Sequence, residues 1–461
     1  MKVNAIFGPP GTGKTRTLIA QAAQSPARHS VFLSFTKAAA AEVLKRAPDM
    51  KASTLHSMAY SKMSLSPASI VNARKLQEFA EATGIPFRTK DDTEAQDGDV
   101  YYAINSYAAN QMIRSEEAYD VFGRPGTPAG FEYFIKSYAN WKKTYGFADF
   151  NDMLELALKV KFNHIDHLYL DEAQDCSPLQ WKLFEKIAVS ADEVTIAGDD
   201  DQAIFEWSGA DPHGMIDFVT RHDGTIHTLD RSYRVPKKVH TLAHDHVLAV
   251  ITKRVDKKFA PAPRNGQIIN FGSMEDVNYA SFADKDTMIL VRDQYRLREA
   301  QKLLHADNVP YSVVGAVSPY ENWHAAALRG WHRARNGTKP SDDEIKAMLK
   351  ASASPGTSWE DLARKPWRSA FSIPARLSEF YEHADLFADL RVRLSTIHRA
   401  KGAEADHVIL DLTLSAMAEE ALYSNRDAEA RVLYVGLTRC RHDLHLCGDH
   451  PLFADEYDAW N

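Results

Sequence analysis

The stretch "VNAIFGPPGTGKTRTLIAQAAQ", Val3–Gln24, decides the fold. "VNAIF" is a short apolar run suited to a buried strand, and "RTLIAQAAQ" is made of good helix formers. Between them, Gly8, Gly13, Lys14 and Thr15 satisfy G-x-x-x-x-G-K-[ST], with Pro9, Gly11 and Thr12 filling the loop. Glycines let backbone N–H groups turn inward around phosphates, and the helix N-terminus adds partial positive charge. In that arrangement Lys14 reaches the β- and γ-phosphates, and the Thr15 hydroxyl binds Mg²⁺.

Phosphate chemistry of this kind needs an acidic partner for the metal. "HLYLDEAQD", His167–Asp175, supplies an apolar strand ending in Asp171 and Glu172. Carboxylates at the end of a buried strand are costly unless a cation meets them. Asp171 is therefore expected on Mg²⁺, and Glu172 is expected to orient the attacking water.

Working outward, strand-like runs recur in "SVFLSF", "EVTIAGD", "TIHTLD", "TMILVRD", "HVILDL" and "DLHLCGD", with helical patterns between them. This alternation predicts an α/β fold with parallel sheets. The runs form two blocks, one over 1–60 and 150–215, the other over 216–315 and 390–461. The intervening 61–149 and 316–389 are richer in helix and loop patterns and read as an insertion in each block.

Composition narrows the class. The 461 residues suffice for several domains, and 44% hydrophobic with 25% charged content is ordinary for a globular protein. No apolar run approaches the roughly 18 residues of a membrane span, so no membrane partner is expected. Three cysteines, Cys176, Cys440 and Cys447, lack metal-ligand spacing and fit a reducing cytoplasm. The net charge of −7 argues against a uniformly basic nucleic-acid binder but leaves room for a basic groove.

Further motifs follow in order: "SFTKAAAAEV", "STLHS", "DFNDML", "YLDEAQDCSPLQ", "AGDDDQAIFEWSGA", "LDRSYRVPKKV", "STIHRAKGAEADHVIL" and "EARVLYVGLTR". As an ordered set from Gly8 to Arg439, they resemble the UvrD/Rep-type superfamily 1 DNA helicases. The resemblance implies two RecA-like P-loop NTPase domains, each with a mostly helical insertion. It implies ATP and Mg²⁺ as cofactors, and motion 3′ to 5′ on single-stranded DNA with separation of duplex ahead. Single-stranded DNA and single-strand/double-strand junctions would be the partners, with a replication or repair protein as a further partner and a monomer as the working form.

The resemblance also carries roles onto individual residues. Tyr233 would stack on adenine, and Arg234 and Arg439 would contact the γ-phosphate. Gln202 would sense the γ-phosphate, Glu404 would lie near the ribose and phosphates, and Arg16 would lie near the nucleotide. Phe35, Thr36, His56, Ser57, Phe205, Trp207, Thr396 and His398 would face DNA. Read alone, Phe35 fits a core residue at a strand end equally well, His398 a structural histidine, and Arg16 an ordinary exposed helix residue. The run Asp199–Asp201 is expected to be tolerated through Mg²⁺ and basic partners.

Several positions depart from the family pattern. Its adenine-reading glutamine segment has no counterpart in Met1–Phe7, which implies weaker discrimination among nucleoside triphosphates. Lys37 stands one place early in the first DNA motif, and Ser208 follows Trp207 where an arginine is usual. "SPYENW" departs from the family's aromatic-rich segment, and the 316–389 insertion is short. A compact phage or mobile-element enzyme, in a bacterial or phage-infected host cytoplasm, would fit that economy.

Overall fold

The structure is a computed structural model and describes residues 1–461 except 26–28, 36, 49, 64, 90–94, 308, 316–321, 353, 355, 366–389 and 454–461. The chain divides into two compact units, one of Met1–Ser232 with Lys253–Ala260, the other of Tyr233–Thr252 with Pro261–Asn461. The expected break at 215/216 therefore lies inside the first unit. The reason is the strand Thr225–Thr228, which pairs with the strand of the opening motif rather than with the second block.

The first unit holds strands β1 (Lys2–Phe7), β2 (Ser30–Ser34), β3 (Lys51–Thr54), β4 (Ile165–Asp171), β5 (Ala191–Gly198) and β6 (Thr225–Thr228). They form one parallel sheet in the order β3-β2-β4-β5-β1-β6. Its inner strands are buried on both faces, which is why they read as apolar runs without alternation. Ala5, Phe7, Leu33 and Leu170 pack on one side; Ile6, Phe32, Tyr169 and Ala197 pack on the other with Leu18 and Ile19. The register aligns Phe7 with Gly198 and Ser34 with Asp171, so the chain turns out of these strands at one edge.

The segment 61–149 supplies helices Ala73–Thr83, Asp97–Gln111, Ser115–Val121 and Pro128–Tyr145. They enclose an aromatic core of their own, with Phe79 meeting Phe134, Tyr138 and Trp141 at 5.3–5.9 Å between ring centroids.

The second unit holds β7 (Gln267–Phe271), β8 (Thr287–Val291), β9 (Tyr311–Val313), β10 (Val392–Thr396), β11 (Ala405–Asp411) and β12 (Cys440–Cys447). These too form a parallel sheet, in the order β7-β12-β11-β8-β10-β9. The described part of its insertion has helices Asn322–Arg335, Asp342–Ala351 and Trp359–Arg364. Unlike the first insertion, they share the sheet's core: Ala327, Leu328, Met348 and Leu362 cluster with Ile289, Val291 and Leu394. Among the described residues, no helix is long and apolar enough to cross a membrane.

Candidate functional site

The phosphate loop leaves β1 and is pinned at once, since the Gly8 N–H donates to the Gly198 carbonyl at 3.0 Å. Gly11 (φ 72°) and Gly13 (φ 86°) take left-handed backbone, which lets the loop curl before the helix Lys14–Gln24. Thr12 closes the turn by donating its hydroxyl to the Pro9 carbonyl at 2.8 Å. Lys14 is buried and folds back, its Nζ donating to the Gly8 carbonyl at 2.6 Å. A Cβ at Gly8 would lie 2.2 Å from Lys14 Cγ, so only glycine lets the lysine stem pass. Arg16 is exposed on the same helix.

Thr15 and Asp171, distant in sequence, are brought together here. The Thr15 hydroxyl donates to Asp171 Oδ2 at 2.7 Å, while Asp171 Oδ1 is fully buried with no hydrogen-bond partner. Burial first, and then the charge of Glu172, push the Asp171 carboxyl up to about 7. A hydroxyl beside an orphaned, buried carboxylate oxygen is a donor set suited to a hard cation such as Mg²⁺. Glu172 stands in left-handed backbone (φ 54°), rare for a non-glycine residue, where β4 has just ended. Gln174 Nε2 donates to Glu172 Oε2 at 2.6 Å.

The acidic run after β5 has the basic partners expected of it, drawn from a distant part of the chain. Asp199, Asp200 and Asp201 are all fully buried, and their partners are Lys257 and Arg254 of the returning segment. Cations from the chain itself stand against these charges. The sequence offered no signal for this, because "TKRVDKK" (252–258) reads as an ordinary solvated basic run. Gln202 is buried and donates Nε2 to Asp199 Oδ2 at 2.5 Å.

Beyond Gln202 the same loop turns outward. Phe205 stacks on Phe35 with centroids 5.9 Å apart, and Trp207 is 64% exposed. Phe35 is itself exposed, which removes the core reading of that ring. The insertion helix Asp97–Gln111 holds the loop: Asn110 Nδ2 donates to the Ser208 carbonyl at 3.2 Å, and Gln111 Nε2 to the Gly209 carbonyl at 3.1 Å. Ser208 bonds within the loop, donating to the Phe205 carbonyl at 2.9 Å.

After β3, Thr54 caps the helix Leu55–Ser61 by accepting from the Ser57 N–H at 3.1 Å. His56 meets the exposed ring of Phe150 edge-on at 5.6 Å, and burial lowers its pKa. Phe150 was not singled out from sequence, although "DFNDML" contains it; only its exposure marks it. Its helix start is fixed by Asp149, which accepts from Lys142 Nζ at 2.6 Å and Tyr138 Oη at 3.1 Å. Thr36 lies outside the described residues, as do the first four residues of "SPYENW".

In the second unit, Tyr233 is 69% exposed and Arg234 bonds through Nε to Glu404 Oε2. Glu404 also faces Arg441 Nη1 at 3.5 Å, and Arg441 and Arg393 both pair with Asp286 at 2.5 Å. Arg439 departs from the picture of an arginine presented to a phosphate. It is 1% exposed and donates from Nε to the Val435 carbonyl at 2.9 Å. Thr396 is buried at the end of β10, accepting from the Arg399 N–H at 3.4 Å, and His398 is half-buried just beyond it.

Comparison with known proteins is consistent with this arrangement. Residues 2–223 match the model of the UvrD/REP helicase N-terminal domain, and residues 391–447 that of the UvrD-like helicase C-terminal domain. The ATP-dependent DNA helicase UvrD2 of Mycobacterium tuberculosis is 27% identical over 327 residues, 60% of this chain and 46% of that protein. The ATP-dependent DNA helicase Rep of Buchnera aphidicola is 25% identical over 236 residues, 45% of this chain and 36% of that protein. The ATP-dependent DNA helicase PcrA of Leuconostoc citreum is 24% identical over 364 residues, 68% of this chain and 48% of that protein. The chain thus matches about half or less of the length of these relatives.

Proposed function

Because the chain belongs to the UvrD/Rep family of superfamily 1 helicases, we propose that it is an ATP-dependent DNA helicase that moves 3′ to 5′ on single strands and separates duplex ahead. The observation that carries this reading is the loop Asp199–Gly209. It buries Gln202 against Asp199 and, five positions on, presents Trp207 to solvent. One short segment can thereby sense a phosphate at one end and hold a base at the other.

In this reading Lys14 exchanges the Gly8 carbonyl for the β- and γ-phosphates. Thr15 and Asp171 would hold Mg²⁺, which would supply positive charge against the phosphate oxygens. Glu172, aimed by Gln174, orients and deprotonates the attacking water. Gln202, Arg234 and Arg439 answer to the γ-phosphate, Tyr233 stacks on adenine, and Glu404 with Arg16 lies near the nucleotide. Arg234 trades its bond to Glu404 for the phosphate, whereas Arg439 must first leave its carbonyl partner. Phe35, His56, Ser57, Phe205, Trp207, Thr396 and His398 grip the strand. Turnover then opens and closes the two RecA-like domains. We further propose that the enzyme works as a monomer at single-strand/double-strand junctions in the cytoplasm, together with a replication or repair protein.

The deciding experiment compares forked duplexes with a 3′ tail or a 5′ tail, with Lys14→Ala as the inactive reference. Separation of the 3′-tailed substrate is expected. Separation of the 5′-tailed substrate alone would overturn the polarity. DNA-stimulated hydrolysis without strand separation would leave a translocase or a DNA-dependent ATPase switch.

A further inference from the structure

The buried triad Asp199–Asp201 is compensated by residues far along the chain. After Ser232 the chain enters the second unit, returns to the first as Lys253–Ala260, and leaves it again at Pro261. Within that return, Lys257 is 1% exposed and sets its Nζ against all three carboxylates. Nζ lies 3.3 Å from Asp199 Oδ1 and 2.9 Å from Asp201 Oδ2, and it bonds to Asp200 Oδ1. Arg254 forks onto Asp201, with Nε and Nη2 each at 2.7 Å from a carboxylate oxygen. The Val255 N–H donates to the other oxygen of Asp200 at 2.8 Å. Burial alone would lower the Lys257 pKa, but the three aspartates outweigh it and keep the ammonium charged.

Asp199 is the branch point of this cluster. Its Oδ2 accepts from Gln202 Nε2, and its N–H donates to Gln174 Oε1 at 2.9 Å. Gln174 in turn holds Glu172. A shift of Asp199 therefore moves Gln202 directly and Glu172 through one intervening side chain. Gly198 leaves no slack, because a Cβ there would lie 2.5 Å from Gln174 Oε1.

We propose that Lys257 and Arg254 are positioning residues for ATP hydrolysis: by clamping Asp199–Asp201 they hold Gln202 and Glu172 in place, so turnover depends on the returning segment Lys253–Ala260. The proposal rests on the ATPase reading above.

The test is DNA-stimulated ATP hydrolysis by the full chain, with thermal unfolding measured alongside. Lys257→Met alone leaves buried carboxylates short of a cation, so Asp200→Asn with Lys257→Met is the informative variant. It removes one negative and one positive charge together. The clamp predicts a near-normal unfolding midpoint, kcat reduced at least about 10-fold, and KM for ATP within about 3-fold. Arg254→Lys keeps the charge and loses only the fork; kcat should fall about 3-fold with an unchanged midpoint. A folded double variant turning over at the wild-type rate overturns the clamp. Should that variant not fold, wild-type kcat in Arg254→Lys overturns it instead. A wild-type chain no more active than Lys14→Ala sinks the ATPase reading itself, which separates the two failures.

Discussion

Each unit has its own all-parallel six-stranded sheet, and the residues assigned to the nucleotide stand at opposite ends of the two, although Thr396 and His398, assigned to DNA, keep to the carboxyl end of β10. In the first, Gly8, Phe35, Glu172 and Asp199 all follow the carboxyl ends of strands, Asp171 being the last residue of β4. In the second, Asp286, Glu404 and Arg439 immediately precede β8, β11 and β12, at the amino ends. Carboxyl ends feed helix N-termini, whose free N–H groups favour anions. Guanidinium groups bring their own charge and need no helix terminus, so the second unit can place them elsewhere. The charge networks differ in burial as well. Asp199–Asp201 are sealed, whereas Glu404 keeps 38% and Arg441 35% of its side chain exposed. A sealed network fixes geometry; a half-exposed one can exchange a carboxylate for a phosphate.

Removing one partner from the sealed network is the strongest way to break this contrast. Arg254→Met leaves Asp201 buried and short of its forked partner, and should cost about 3–5 kcal/mol. Urea unfolding of the full chain measures it. A cost below about 1 kcal/mol would mean that the buried cluster is no more constrained than a surface pair.

The next test asks whether the pinned loop presents its ring for binding rather than for folding. Trp207→Ala should weaken single-strand affinity by about 1–3 kcal/mol, the usual worth of one stacked base. Because the ring is 64% exposed, the unfolding midpoint should not move. Unchanged affinity would reduce the loop to a structural turn. DNA affinity of the wild type should also fall as salt rises, since bound phosphates release counterions.

These contrasts were unevenly legible in the sequence. The phosphate loop could be read directly because its glycines, lysine and threonine are local and their spacing is set by backbone geometry. Asp171 could be read because an acid ending a strand is conspicuous. The strands β3, β7, β9 and β10 do not stand out in the sequence: "KAST", "QIINF" and "YSV" are short edge strands, only partly buried, and "VRLST" breaks its apolar residues with Arg393 and Ser395. "TIHT" was seen as a strand but assigned to the wrong sheet, since a strand's pattern does not name its neighbours. Lys257 was invisible because Asp200, to which it bonds, stands 57 positions away and nothing local marks burial. Arg439 reads as facing a phosphate, yet its guanidinium donates to the Val435 carbonyl in the last turn of the helix Arg426–Leu437 and to the Ala403 carbonyl.

The smallest expected effect is the sharpest check on the comparison. Glu404→Gln removes the charge that faces Arg234 and Arg441 but leaves an amide that still accepts a hydrogen bond. Water screens this half-exposed site, and the neighbouring carboxylates of Asp286 and Asp406 remain within reach of Arg441. The stability change should stay below about 1 kcal/mol and shrink further in roughly 1 M salt, where charges beyond about 3 Å are screened. The cost of Arg254→Met should survive the same salt, because Asp201 is sealed from it. Equal salt dependence of the two variants would erase the distinction between the sealed and the exchangeable network, and with it the reason for assigning Arg234 a mobile role.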